Sequence, residues 1–181
     1  MAGPTRRLTL LEDPAPSEVA GFRCSDAEDL QGFLVHDALG RYVRTRLARV
    51  YLAWQGVDLV GFFTLSCGLV RYEEVSREVR RTTRLDGLWE RDECSAPVVL
   101  LGRLAVDERF RRQGIGPWLF KEAVALAKFS VAPHVGCRFL LVDALYERID
   151  WYEGLGCLVL GESAYPPETT RMALDLFPPE E

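Results

Sequence analysis

The chain lacks the marks of several large functional classes. No apolar run approaches the roughly 20 residues that cross a bilayer, and the opening stretch MAGPTRRLTLLEDPAP has no apolar centre of the kind a secretory signal carries. Neither a membrane partner nor export is expected. Histidine is scarce, with only His36 and His134. The five cysteines (Cys24, Cys67, Cys94, Cys137, Cys157) are scattered, odd in number and never in CxxC spacing. That disfavours a disulfide framework and a zinc site, and no metal is expected. The thiols read as reduced and mostly as small core hydrophobes, which points to a cytoplasmic protein. An excess of positive charge is also missing: 22 Lys and Arg stand against 27 Asp and Glu, for a net charge of −5. This argues against a surface built wholly for nucleic acid, while leaving room for local basic patches.

What is present suits one globular domain over residues 1–181, since 48% of the residues are hydrophobic and 27% charged. RLTLLE reads as a first strand. A helix follows over SDAEDLQGFLVHDALGRYVRTRL, with Ser25 and Glu28 at capping-box spacing. RVYLAW and DLVGFFTLS read as strands joined by a glycine-containing turn. Residues 68–97 are strongly charged and are expected to be an insertion, with or without a short helix. VVLLGRLAV has the nearly continuous apolar character of a strand covered on both faces. A helix over 114–129, the strand CRFLLVDAL, the short helix ERIDWYEGLG and a closing antiparallel pair, CLVLGE and TTRMALDLF, complete the order. No repeat or linker interrupts it. The expected fold class is mixed α/β, with a central, partly parallel sheet flanked by helices.

The most informative stretch is RFRRQGIGPWLF, residues 109–120. Here the chain leaves a strand and enters a helix, whose first N–H groups are unpaired and carry partial positive charge. Gly114 and Gly116 allow a close backbone approach by a bulky anion, and Pro117 falls in the first helical turn, where its missing donor is harmless. A pyrophosphate suits this geometry; surface arginines on an ordinary turn are the plain alternative. Neither GxxxxGK[ST] nor GxGxxG is present, which disfavours a nucleoside triphosphate and a Rossmann dinucleotide.

Arg111-Arg112-Gln113-Gly114-Ile115-Gly116 resembles the R/Q-x-x-G-x-G/A acetyl-CoA motif of the GNAT acetyltransferases. LGRLAVDERFRRQGIG, a helix, FLLVDAL and WYEGLGC follow in that family's order. FRCSDAEDLQGFL, LVGFFTLS and VLLGRLAVD further resemble a narrower group, the acetyltransferase toxins of toxin–antitoxin pairs, which acetylate the amine of aminoacyl-tRNA. The resemblance implies a splayed sheet, with acetyl-CoA between the strand ending near Val106 and that ending near Asp143. It implies that backbone groups of Leu104, Ala105 and Val106 hold the pantetheine arm. Arg111, Arg112, Gln113, Gly114, Ile115 and Gly116 would hold the pyrophosphate, and Tyr152 would protonate the departing thiolate. A tyrosine is protonated at neutral pH and can donate; the plain alternative is a core aromatic beside Trp151. No general base is evident, because Arg103 stands where many family members carry a carboxylate. That suggests a water relay or an already neutral amine; an aminoacyl ester amine, less basic than a lysine, would need no strong base. The expected function is acetyl-CoA-dependent N-acetyl transfer to an amine. The alternatives are a tRNA-acetylating toxin and a non-catalytic CoA-binding module. tRNA, an antitoxin and a second copy of the chain are the further candidate partners.

Overall fold

The computed structural model describes residues 5–82, 95–162 and 168–178. Seven strands are formed: β1 (Arg6–Leu10), β2 (Arg49–Gln55), β3 (Asp58–Arg71), β4 (Ser95–Val106), β5 (Phe139–Leu145), β6 (Leu158–Glu162) and β7 (Thr169–Asp175). Their order in the sheet is β1-β2-β3-β4-β5-β7-β6. The helices are α1 (Glu28–Gly32), α2 (Arg77–Thr82), α3 (Ile115–Ala125) and α4 (Ile149–Glu153), and both α1 and α3 run on in π-helical winding, over Phe33–Val43 and Leu126–Val131. β4 and β5 are parallel, with Val98, Val99 and Leu100 facing Phe139, Leu140 and Leu141. β1–β2, β2–β3, β5–β7 and β6–β7 are antiparallel. The chain is thus the mixed α/β protein that its strand and helix order predicts.

Two compact units are formed, Met1–Ser66 with Gly102–Ala123, and Cys67–Leu101 with Val124–Glu181. In the first, Leu59–Leu65 of β3 is buried throughout, which is why an unbroken apolar run is stable there. Phe62 meets Phe22 edge to face at 5.4 Å and stacks with Phe33 at 5.9 Å, arrangements worth roughly 0.5–1.5 kcal/mol each beyond their buried area. Gly61 is required by close packing. A Cβ there would lie 2.7 Å from the Ala105 carbonyl oxygen and 2.9 Å from Leu119 Cδ1, so α3 rests directly on the strand backbone. Gly56, with φ of +64°, turns the chain between β2 and β3. The expected capping box does not form. Ala27 is the N-cap of α1, without a side-chain cap, because Ser25 donates instead to Glu108, a tertiary partner. The helix winding also ends at Val43, short of the predicted Leu47, and Arg46 follows with φ of +61°.

In the second unit Val70, Val98, Phe139, Leu141, Leu160 and Ala173 form the core. The predicted closing pair, β6 and β7, is present. β7 also pairs with β5 from Phe139↔Asp175 to Leu145↔Thr169, so it lies inside the sheet and β6 takes the edge. Part of the charged stretch expected as an insertion is regular: β3 continues to Arg71, α2 follows, and β4 already begins at Ser95. Residues 83–94 of that stretch, Cys94 among them, lie outside the described residues. Among the described residues no helix is long and apolar enough to cross a membrane, and no cluster of three or more His, Cys, Asp or Glu could hold a metal.

Candidate functional site

The first unit carries the strand–turn–helix segment. β4 leaves its buried run after Leu101; Ala105 stays buried, while Leu104 and Val106 are half-buried. Asp107, fully buried, ends the strand and caps the 3₁₀ turn Glu108–Phe110. Its Oδ2 accepts from the Arg23 N–H at 3.0 Å and an Arg109 Nη at 2.8 Å. Its Oδ1 accepts from the Arg109 N–H at 3.0 Å and Nε at 2.8 Å. Burial pushes the Asp107 carboxyl up, but these bonds outweigh it and hold the group below the usual carboxylate range. The next residue is fixed too: Glu108 accepts from the Ser25 hydroxyl at 2.5 Å and the Ser25 N–H at 3.1 Å, and these bonds lower its pKa.

The turn itself is tied at two further points. Both Nη atoms of Arg111 donate to the two carboxylate oxygens of Asp26, and one also reaches Cys24 Sγ at 3.3 Å. This fork-to-fork pairing lowers the Asp26 pKa and raises that of Arg111. Burial pushes the Cys24 thiol up, with Arg111 pulling the other way. From β1, an Arg6 Nη donates to the Gln113 carbonyl at 2.8 Å, and the guanidinium lies 5.6 Å from the Trp118 ring centre. Between these ties Arg112 and Gly114 take the left-handed conformation, with φ of +60° and +71°. Both are exposed, and a Cβ built on Gly114 meets nothing within 4 Å, so the backbone there is open to approach. The Trp118 N–H donates to the Gly114 carbonyl at 3.3 Å, so helical bonding starts at Gly114. The start of α3 therefore lies beside an exposed arginine and an open glycine, a combination suited to a phosphate-bearing ligand.

The second unit carries Tyr152, on α4. The helix is stopped by Gly156, with φ of +91°. The Tyr152 carbonyl accepts from both the Leu155 and Cys157 N–H groups at 3.0 Å, which fixes the residue's backbone. Its ring meets Trp151 edge to face at 4.7 Å. Burial pushes the phenol up to about 12; the neighbouring Cys157 adds to the rise and Arg148 opposes it. The hydroxyl is therefore protonated at neutral pH and can donate. Cys157 is itself buried and pushed up to about 12, so it is an inert packing thiol, as its place after the glycine turn suggests. Asp143 accepts from Arg171 Nε at 3.0 Å, and the same arginine reaches Glu74 at 2.8 Å.

The structure thus places Leu104, Ala105, Val106, Arg111, Arg112, Gln113, Gly114, Ile115 and Gly116 on one continuous segment of the first unit, and Tyr152 in the second. Sequence reasoning missed the residues that fix this segment: Asp107, Asp26 and Arg6. Asp107 had one visible signal, an acidic residue directly after a buried strand. Asp26 and Arg6 had none, since their partners lie 85 and 107 positions away.

Comparison with known proteins identifies the family. The acetyltransferase (GNAT) family model matches residues 17–157. A tRNA-acetylating toxin of Mycobacterium tuberculosis is 30% identical over 135 residues, covering 70% of this chain and 75% of that protein. Among solved structures, AtaTR bound with acetyl-CoA is 26% identical, with a TM-score of 0.68 over 93% of this chain and 92% of that one. AtaT complexed with acetyl-methionyl-tRNAfMet shares the fold, with 24% identity and a TM-score of 0.74 over 96% and 95% of the two chains. The glycine turn at the start of α3, the mixed sheet and a family match that takes in both the turn and Tyr152 lead to one conclusion: the chain belongs to the acetyltransferase (GNAT) family.

Proposed function

We propose that this acetyltransferase acts as a toxin, moving the acetyl group of acetyl-CoA to the α-amine of aminoacyl-tRNA. The observation that carries the acceptor is the 30% identity with a tRNA-acetylating toxin over 75% of its length. The geometry supports the donor. The N–H groups opening α3 and the exposed Arg112 would hold the pyrophosphate with Gln113, Gly114, Ile115 and Gly116, while Arg111, already paired with Asp26, keeps the turn in shape. The backbone of Leu104, Ala105 and Val106 would bind the pantetheine arm as an added strand binds a sheet edge.

In the reaction the neutral amine attacks the acetyl carbonyl carbon. The C–S bond breaks, the new amide nitrogen loses a proton to water, and the sulfur gains one. Tyr152, protonated because burial holds its phenol near 12, donates toward the departing sulfur and is reprotonated by solvent. No strong carboxylate base is required, because an aminoacyl ester amine is less basic than a lysine and gives up its proton more readily. The whole chain would act as one acetyltransferase domain in the cytoplasm, where aminoacyl-tRNA is found. An antitoxin and a second copy of the chain are the expected protein partners. Release of free thiol from acetyl-CoA, measured against a panel of simple amines and aminoacyl-tRNA, tests the reading. Thiol release that requires aminoacyl-tRNA is expected. Release only with small amines would replace the acceptor, and acetyl-CoA binding with no release at all would leave a non-catalytic CoA module.

A further inference from the structure

Several arginines of this fold pair with carboxylates: Arg109 with Asp107, Arg111 with Asp26, Arg138 with Asp175, Arg171 with Asp143 and Glu74. Arg103 is held differently. Its guanidinium carbon lies 3.9 Å from the ring centre of Phe33 and 5.2 Å from that of Tyr42, and these two rings meet edge to face at 5.0 Å. Phe33 is buried; Arg103 and Tyr42 are half-buried. Among the described residues no carboxylate forms an ion pair with Arg103, and of the two rings against it only the Tyr42 phenol is ionisable. The result is a cation fixed by π faces and, among the described residues, left without a countercharge.

Its position gives that charge a use. Arg103 is on β4, immediately before Leu104, Ala105 and Val106. By strand alternation it shares a face with Ala105, which packs in the same cluster as Phe33. If the pyrophosphate lies at the 111–116 turn and the pantetheine arm runs back along 106, 105 and 104, the thioester comes to rest beside residue 103.

We propose that Arg103 determines acceptor specificity: its unpaired charge keeps the acceptor amine neutral and repels strongly basic, lysine-like amines. This rests on the acetyl-transfer reading above and narrows its acceptor to the class of weakly basic amines, of which an α-amine beside an ester is one. A like charge within about 4–6 Å disfavours the ammonium form, and a shift on the order of one pH unit is enough for tenfold discrimination. Elsewhere in such sites a carboxylate accepts the proton from the amine. Here the fixed cation works on the amine before attack.

The test is a pair of pH profiles for the wild type and Arg103→Gln, with aminoacyl-tRNA and with a lysine-containing peptide as acceptors. The kcat/KM profile reports the free amine and the kcat profile the bound one. In the wild type the kcat profile is expected to rise about one pH unit below the kcat/KM profile. In Arg103→Gln the two limbs should coincide, and the relative rate on the peptide should rise by about tenfold. Coincident limbs in the wild type would overturn the proposal, and that measurement needs no variant to fold. A displaced limb that persists in a folded Arg103→Gln protein would overturn it equally. A wild type that transfers acetyl to neither acceptor would reject the acetyl-transfer reading itself, and this inference with it.

Discussion

Replacing Asp107 by Asn tests whether the buried carboxylate holds the strand–turn–helix segment in place. The substitution keeps the shape and converts one acceptor oxygen into an NH2 group. Whichever way the amide is oriented, two of the four donors lose their acceptor: Arg23 N–H with one Arg109 Nη, or Arg109 N–H with its Nε. One part-buried backbone N–H beside the buried side chain then loses its acceptor, at a cost of up to about 1–3 kcal/mol. The Arg109 side chain is half-exposed and recovers much of its lost bonding in water, so its share is discounted to below about 1 kcal/mol. A total near 1–4 kcal/mol corresponds to a fall in Tm of about 2–15 °C for a chain of this size. Asp107 is held below the usual carboxylate range when folded, so its charged bonds contribute fully above the unfolded value, about 3.9, and are lost as pH falls through the lower folded value. The wild type should therefore lose stability more steeply than Asp107→Asn at acid pH. Thermal unfolding of both proteins between neutral and acid pH, read by fluorescence, makes the comparison. A Tm within about 2 °C of wild type at neutral pH, or equal slopes in acid, would refute the account of this anchor.

Three further outcomes are expected, two at the candidate site and one at the exposed arginines after the first helix, on the reading that they face tRNA phosphates. Gly114→Glu must place a side chain at φ of +71°, at about 1–2 kcal/mol of strain, and occupies the open approach to the turn. The protein should fold yet lose acetyl-CoA binding by calorimetry, and unchanged affinity would remove this turn from the site. Tyr152→Phe keeps the ring and removes the hydroxyl, so turnover should fall by about 10²–10⁴ while acetyl-CoA affinity barely changes. Normal turnover with chemistry rate-limiting would reject the donor role. Arg44 and Arg46 are exposed after the first helix, Arg44 in an ion pair with Asp13. Removing both charges should weaken tRNA binding and flatten its salt dependence, by a slope change of about one to two, without affecting acetyl-CoA. An unaltered slope would place tRNA elsewhere.

The elements that were legible in the sequence are those set by local pattern. The apolar run at 98–101, the Gly56 hairpin, the glycine-rich entry to α3 and the Gly156 stop all rest on neighbouring residues, and each forms where its pattern stands. Long-range partners were not legible. Ser25 and Glu28 have capping spacing, yet the Ser25 hydroxyl bonds Glu108, 83 positions away, because a charged tertiary acceptor competes better than a local cap. Arg111 read as a cation turned toward a ligand, but its guanidinium is taken by Asp26, which leaves Arg112 as the exposed charge of the turn. The insertion of β7 between β5 and β6 is likewise a matter of pairing, to which the alternation within TTRMALDLF gives no clue. Arg103 showed only as a missing carboxylate; its aromatic clamp required Phe33 and Tyr42 to be brought under β4.

In the proposed reaction acetyl passes from acetyl-CoA to the α-amine of an aminoacyl-tRNA. Its most direct measurement is the identity of the labelled product. Purified protein is incubated with acetyl-labelled acetyl-CoA and charged tRNA, the ester is cleaved in mild base, and the released amino acid is analysed by mass spectrometry. N-acetyl-amino acid is expected in amounts matching the free thiol formed, and none when uncharged tRNA replaces the charged form. Label that stays on the tRNA after ester cleavage, or thiol release indifferent to charging, would contradict it.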